Sequence, residues 1–143
     1  MDPDKLFTCY LIDDDADDRE IFAIAVSELG YPVRLFTAVD GQAGLEQLSA
    51  GTFLPDLIFL DLNMPRMNGQ QCLRALKAHP VYASIPVIIY STSSQEQDRE
   101  ETKLLGAFGF LTKPSSVKTL IEILTTLVSS DVVPHSFISI NHK

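Results

Sequence analysis

Five short apolar, β-prone runs alternate with five stretches of helical spacing, and few folds accept that order. The runs are Lys5 to Ile12, Val33 to Thr37, Asp56 to Asp61, Ile85 to Tyr90 and Ala107 to Thr112. The helical stretches follow them at about Asp17 to Leu29, Gly41 to Ala50, Gly69 to Ala78, Gln95 to Leu105 and Ser116 to Val128. A run that is apolar at successive positions, rather than at alternate ones, buries both of its faces. Strands of that kind belong to parallel sheets, whose crossovers are right-handed and whose helices cover both sides. The pattern therefore predicts an α/β fold: a doubly wound, three-layer sandwich around a five-stranded parallel sheet. The punctuation agrees. Gly30 with Pro32 ends the first helix, Gly51 the second, His79-Pro80 the third and Gly106 the fourth.

The alternation occupies residues 5–128 and leaves a tail, 129–143, too short for an output domain. Phe137, Ile138 and Ile140 give that tail apolar side chains with which to pack or pair, and residues 136–140 (SFISI) suit a strand or arm added to a homodimer. At 143 residues, 45% hydrophobic and 21% charged, the chain has the composition of one globular domain with a sizeable core. Its formal net charge of −8, with no basic stripe, argues against binding DNA or other nucleic acid. No apolar run is long enough for a membrane span, and MDPDKLF does not read as a signal peptide. Cys9 and Cys72 lack C-x-x-C spacing and are expected as buried free thiols, which points to the cytoplasm.

The chemistry gathers around Leu54 to Gly69, LPDLIFLDLNMPRMNG. Asp61 is a lone carboxylate at the end of an apolar strand, the edge where open α/β sheets place their ligands. A loop-capping aspartate is the plainer alternative, and the neighbouring strand ends weigh against it. Asp13 and Asp14 close the first strand and would lie beside Asp61. Two carboxylates about 4 Å apart repel by about 4 kcal/mol at an effective dielectric near 20. Three in one cleft therefore require a bound proton or a divalent cation, and oxygen-only ligands favour a hard ion such as Mg²⁺. Asp15, Asp17 and Asp18 are expected merely to favour a helix N-terminus. Ser91 ends the fourth strand and Lys113 the fifth, at the same edge. Metal, ammonium and hydroxyl together describe a site for a phosphoryl group.

These motifs, in this order, resemble the receiver domain of two-component response regulators, over nearly all of residues 5–128. The acidic pair Asp13-Asp14 comes first, then D-L-N-M-P-R-M-N-G from Asp61 to Gly69. Ser91 follows Asp61 by 30 residues, and Lys113-Pro114 begins 22 residues after Ser91. Stand-alone receivers with a VIIYSTSS-like fourth strand look especially similar. The resemblance implies a flavodoxin-like (βα)5 fold in which Asp61 is the phospho-acceptor, served by a sensor histidine kinase or a histidine phosphotransfer protein. Asp14, Asp61 and the Asn63 backbone carbonyl would ligate Mg²⁺, and Asp13 would hold a metal-bound water. Lys113 would pair with the phosphoryl oxygens, and its bond to Pro114 would be cis. Ser91 would take the hydroxyl role and Phe110 that of the switching aromatic, turning inward on phosphorylation. Thr92 stands where a small residue is frequent, and Asn63 and Ser93 where dephosphorylation is tuned. Output would pass to a protein target of unnamed identity.

An aspartyl hydrolase of the haloacid dehalogenase type uses similar residues, but places its nucleophile near the N-terminus and its acidic pair late. A flavodoxin-like cofactor binder needs a phosphate loop after the first strand, where this chain has aspartates that repel phosphate. A receiver-shaped scaffold that no longer accepts phosphate would not need the complete residue set. Met64 and Met67 read as packing residues, and His79, His135 and His142 have no metal spacing. The helix from Gln95 to Leu105 offers Leu104 and Leu105 as its apolar anchors, which marks it as weakly held.

Overall fold

The computed structural model describes residues 6–129 and 137–140. Eleven elements follow in order: β1 (Phe7–Ile12), α1 (Ala16–Ser27), β2 (Val33–Ala38), α2 (Gly41–Ser49), β3 (Leu57–Leu60), α3 (Gly69–Ala78), β4 (Val87–Ser91), α4 (Glu96–Leu104), β5 (Gly109–Thr112), α5 (Val117–Ser129) and β6 (Ile138–Ile140). All strand pairs are parallel, in the order β2-β1-β3-β4-β5-β6. The chain leaves β1 outward to β2 and returns to β3 on its other side. The strand order therefore reverses between β1 and β3, where a ligand crevice opens at the carboxyl ends.

Residues alternate between two cores, as strands buried on both faces require. Tyr10, Ile12, Ile58, Leu60, Val87, Ile89 and Phe110 pack with Leu48 of α2 and Cys72, Leu73 and Leu76 of α3. Cys9, Leu11, Leu57, Phe59, Ile88, Tyr90 and Leu111 face the other way, toward Phe22 and Ala25 of α1 and Leu120 and Leu124 of α5. Phe22 anchors the second core through edge-on contacts with the rings of Phe59 and Tyr90. Cys9 and Cys72 are buried free thiols, both pushed up to about 12 by burial first and a nearby carboxylate second. Met64 is buried and Met67 half-buried against the first core. His79 stacks on Tyr82 beyond α3, while His135 and His142 lie outside the described residues.

Three expectations change. Among the described residues the sheet has six strands, because Ile138–Ile140 adds a parallel strand to the edge of β5. These residues, expected to serve a dimer, thus occupy a place in the chain's own sheet. Gly109 makes room for them: a Cβ there would come within 2.8 Å of the Ile138 carbonyl oxygen. The Lys113–Pro114 bond is not cis, since no described peptide bond is; trans is the lower-energy isomer of a prolyl bond by about 0.5–1 kcal/mol. Finally, Leu104 is no anchor for α4, being 85% exposed. The buried residues of α4 are Arg99 and Thr102, with Leu105 half-buried just beyond. Among the described residues no helix is long and apolar enough to cross a membrane.

Candidate functional site

Asp61 is the first residue past β3, and its amide donates to the Ile12 carbonyl at the end of β1. Asp13, the first past β1, is likewise pinned by its amide to the Ala38 carbonyl of β2. The parallel register of β1 and β3 places the two carboxylates side by side, both buried, with Asp14 exposed beside them. Each offers an oxygen, and the three oxygens lie within 4.8 Å of one another.

Each carboxylate oxygen has a distinct environment. Asp61 Oδ1 accepts from the Leu62 amide at 2.8 Å, and its Oδ2 lies 3.6 Å from Lys113 Nζ. Asp13 Oδ1 accepts from the Asp15 amide at 2.9 Å. Asp13 Oδ2 is ion-paired with Lys113 Nζ at 2.9 Å. Three clustered carboxylate oxygens, with no nitrogen or sulfur donor among them, fit a hard divalent cation with its bound waters.

Burial pushes the Asp61 carboxyl up to about 6; Lys113 opposes the rise and the charge of Asp13 adds to it. For Lys113, burial works against the charge. Hydrogen bonding to Asp18 and Asp13 and the charge of Asp61 outweigh it, and the ammonium is held above its usual range. Its amide bonds the Ser91 carbonyl at 2.7 Å, which ties the end of β5 to the end of β4.

Ser91 is buried, and its Oγ accepts from the Ser93 amide at 3.2 Å. Thr92 is exposed. Phe110 is fully buried in the first core with the Arg99 guanidinium 5.3 Å above its ring. Asn63 is exposed in the loop after Asp61, and that loop is fastened at both ends. Arg66, at φ 65, adopts the left-handed conformation and pairs with Asp40, the N-cap of α2. Gly69 sits so close to β3 that a Cβ would fall 2.3 Å from the Asp61 carbonyl oxygen, so α3 starts against the acceptor itself.

The structure brings Asp13, Asp14, Asp61 and Lys113 together, with Ser91 at the adjoining strand end. It adds a residue that sequence reasoning set aside. Asp15 is the N-cap of α1, accepting from the Asp18 amide, and Asp17 sits exposed in the first turn, both as expected of anionic residues at a helix start. Asp18, however, accepts from Lys113 Nζ at 2.7 Å. The available signal was its position three residues after an N-cap, where a side chain points back toward the sheet edge.

A family model for the response regulator receiver domain matches residues 9–125. PilG of Pseudomonas aeruginosa is 32% identical over 120 residues, covering 84% of this chain and 86% of that protein. The sensor histidine kinase CheAY of Helicobacter pylori is 31% identical over 121 residues, which cover 85% of this chain and 14% of the kinase. This chain also spans about half the length of two transcriptional regulators that it matches. Among solved structures, the phosphorylated cyanobacterial phytochrome response regulator RcpA superposes with a TM-score of 0.82 at 27% identity, with 91% of this chain and 99% of that one covered. The Mn²⁺-bound form of response regulator Rcp1 gives 0.78 at 26%, with 90% and 99% covered.

Proposed function

The chain belongs to the response regulator receiver domain family, and from that membership we propose that it is a phosphorylation-dependent switch of a two-component phosphorelay. Receiver domains are signalling modules rather than classical enzymes. The observation that carries the reading is one buried carboxylate, Asp61, with two further carboxylates within 4.8 Å and an ammonium 3.6 Å away. Asp61 attacks the phosphorus of a phosphohistidine with a carboxylate oxygen. The new O–P bond forms as the N–P bond breaks, and the imidazole leaves with the bonding pair. Lys113 neutralises charge on the phosphoryl oxygens, and the Ser91 hydroxyl donates a hydrogen bond to one of them.

Asp14, Asp61 and the Asn63 carbonyl would hold Mg²⁺, and Asp13 would hold a metal-bound water. When bound, Mg²⁺ supplies countercharge to the carboxylates and to the incoming group. The phosphoryl donor is a sensor histidine kinase or histidine phosphotransfer protein, a choice supported by the likeness to the receiver-sized part of a sensor kinase. Output goes to a protein target, since a net charge of −8 disfavours DNA. Incubation with acetyl phosphate and Mg²⁺ should add one phosphoryl group by intact mass, and Asp61→Asn should abolish the addition. Undiminished labelling of Asp61→Asn would show that the acceptor lies elsewhere.

A further inference from the structure

Lys113 is shared among three carboxylates, and the acceptor has the weakest hold on it. Its Nζ is 2.7 Å from Asp18 Oδ2, 2.9 Å from Asp13 Oδ2 and 3.6 Å from Asp61 Oδ2. An ammonium has three donors and a carboxylate only acceptors, so every bond to Asp18 is a donor withheld from the acceptor site. The two groups come from opposite ends of the chain, Asp18 from the first turn of α1 and Lys113 from the end of β5. The lysine side chain is 9% exposed and that of Asp18 31%, so the pair closes the cleft on the side of α1. Asp18 also adds a formal negative charge to Asp13, Asp14 and Asp61 at the place where a phosphoryl dianion must enter.

We propose that Asp18 is a positioning residue that competes with the phosphoryl group for Lys113, and thereby sets how tightly the site takes and keeps that group. The inference rests on the receiver reading above and deepens it. In the resting protein Asp18 draws the ammonium toward α1. When a phosphoryl group arrives on Asp61, Lys113 has to surrender its bond to Asp18 to reach the new oxygens. The strength of that bond therefore opposes phosphorylation without taking part in the chemistry.

The test uses the full chain and beryllofluoride, a phosphoryl mimic, at saturating Mg²⁺. Asp18→Asn should bind the mimic several-fold more tightly than wild type and Asp18→Ala about tenfold, the order expected for release of one partly exposed charge-assisted hydrogen bond. Phosphoryl lifetime after acetyl phosphate treatment should lengthen in the same order. Asp18→Glu, which keeps the bond to Lys113, should return both readouts toward wild type. Asp17→Asn removes an equal charge from the same exposed turn and should leave both readouts near wild type. Mg²⁺ titration and melting of each variant establish that the fold and metal site persist. Equal gains in Asp17→Asn and Asp18→Asn, no change in Asp18→Asn, or weaker binding by it would each overturn the competition. If wild type itself takes neither the mimic nor a phosphoryl group, the receiver reading fails and this inference with it.

Discussion

Burial lifts the Asp61 carboxyl to about 6 from an ordinary 3.8, Lys113 restrains the rise, and the neighbouring Asp13 adds to it. The sign follows from the raised value. The folded protein favours the protonated acid, so this group's stabilisation is complete below about pH 4 and is lost as pH rises through about 6. A rise of about two units corresponds to roughly 3 kcal/mol across that window. In chelator-treated protein, Asp61→Asn should therefore melt above wild type at about pH 8, and the gap should shrink toward about pH 5, where the wild-type acid is neutral. A gap that does not change with pH would mean that burial does not oppose the charge. The same tension explains why an acceptor in this position is ready for a cation: ionised Asp61 is the strained form, and countercharge relieves it.

Among the elements, α4 is held in an unusual way. Its buried positions are Arg99 and Thr102, and the Thr102 hydroxyl merely returns to the Asp98 carbonyl one turn back. Arg99 donates from Nη1 to the Ser94 carbonyl and lies over Phe110, but its buried Nε and Nη2 have no hydrogen-bond partner among the described residues. A buried donor left unpaired costs about 1–3 kcal/mol. α4 thus carries a penalty at the point where it touches the ring expected to relay the signal. Arg99→Met keeps length and apolar packing while removing the orphaned donors. It should raise Tm by a few degrees, consistent with a gain of about 1 kcal/mol, and should slow amide exchange over residues 96–104. A lower Tm would show that the guanidinium's contact with Phe110 outweighs its unpaired donors. In wild type, beryllofluoride should alter exchange in α4, β5 and α5; silence there would remove this face as the output.

At the scale of the whole molecule, the sixth strand changes what the sheet exposes. β5 would otherwise be an edge with unpaired backbone groups, and β6 pairs with it from Gly109 to Leu111. Phe137 adds to this cover, packing against the first core with Lys103 of α4 lying 5.7 Å from its ring. The cover depends on Gly109. Gly109→Ala would thrust a methyl group to 2.8 Å from the Ile138 carbonyl oxygen, so β6 has to shift. The expected cost is on the order of 1–3 kcal/mol. Amides 138–140 should lose exchange protection while acetyl phosphate still labels Asp61. Unchanged protection there would mean that β6 accommodates the methyl without leaving the edge.

The order of elements was legible in the sequence because runs apolar at successive positions fit few structures besides a sheet buried on both faces. That order put the carboxyl ends of the strands on one edge of the sheet, and with them Asp13, Asp14, Asp61, Ser91 and Lys113, while the order of the motifs along the chain pointed to their meeting in one site. The acidic residues at 15 and 17 also behaved as local rules require, since capping is decided within one turn. What the sequence did not determine are contacts that depend on the phase and crossing of helices against the sheet. Whether Asp18 reached Lys113, 95 residues away, turned on how α1 is rotated where it packs beside α5. Whether Leu104 or Arg99 faced inward turned on the rotation of α4, and apolar character alone chose the wrong side. The place of Ile138–Ile140 in the sheet rested on Gly109, whose missing side chain lets a second backbone approach. Each of these was settled by tertiary packing, because the energy that selects among helix phases comes from surfaces distant in the chain.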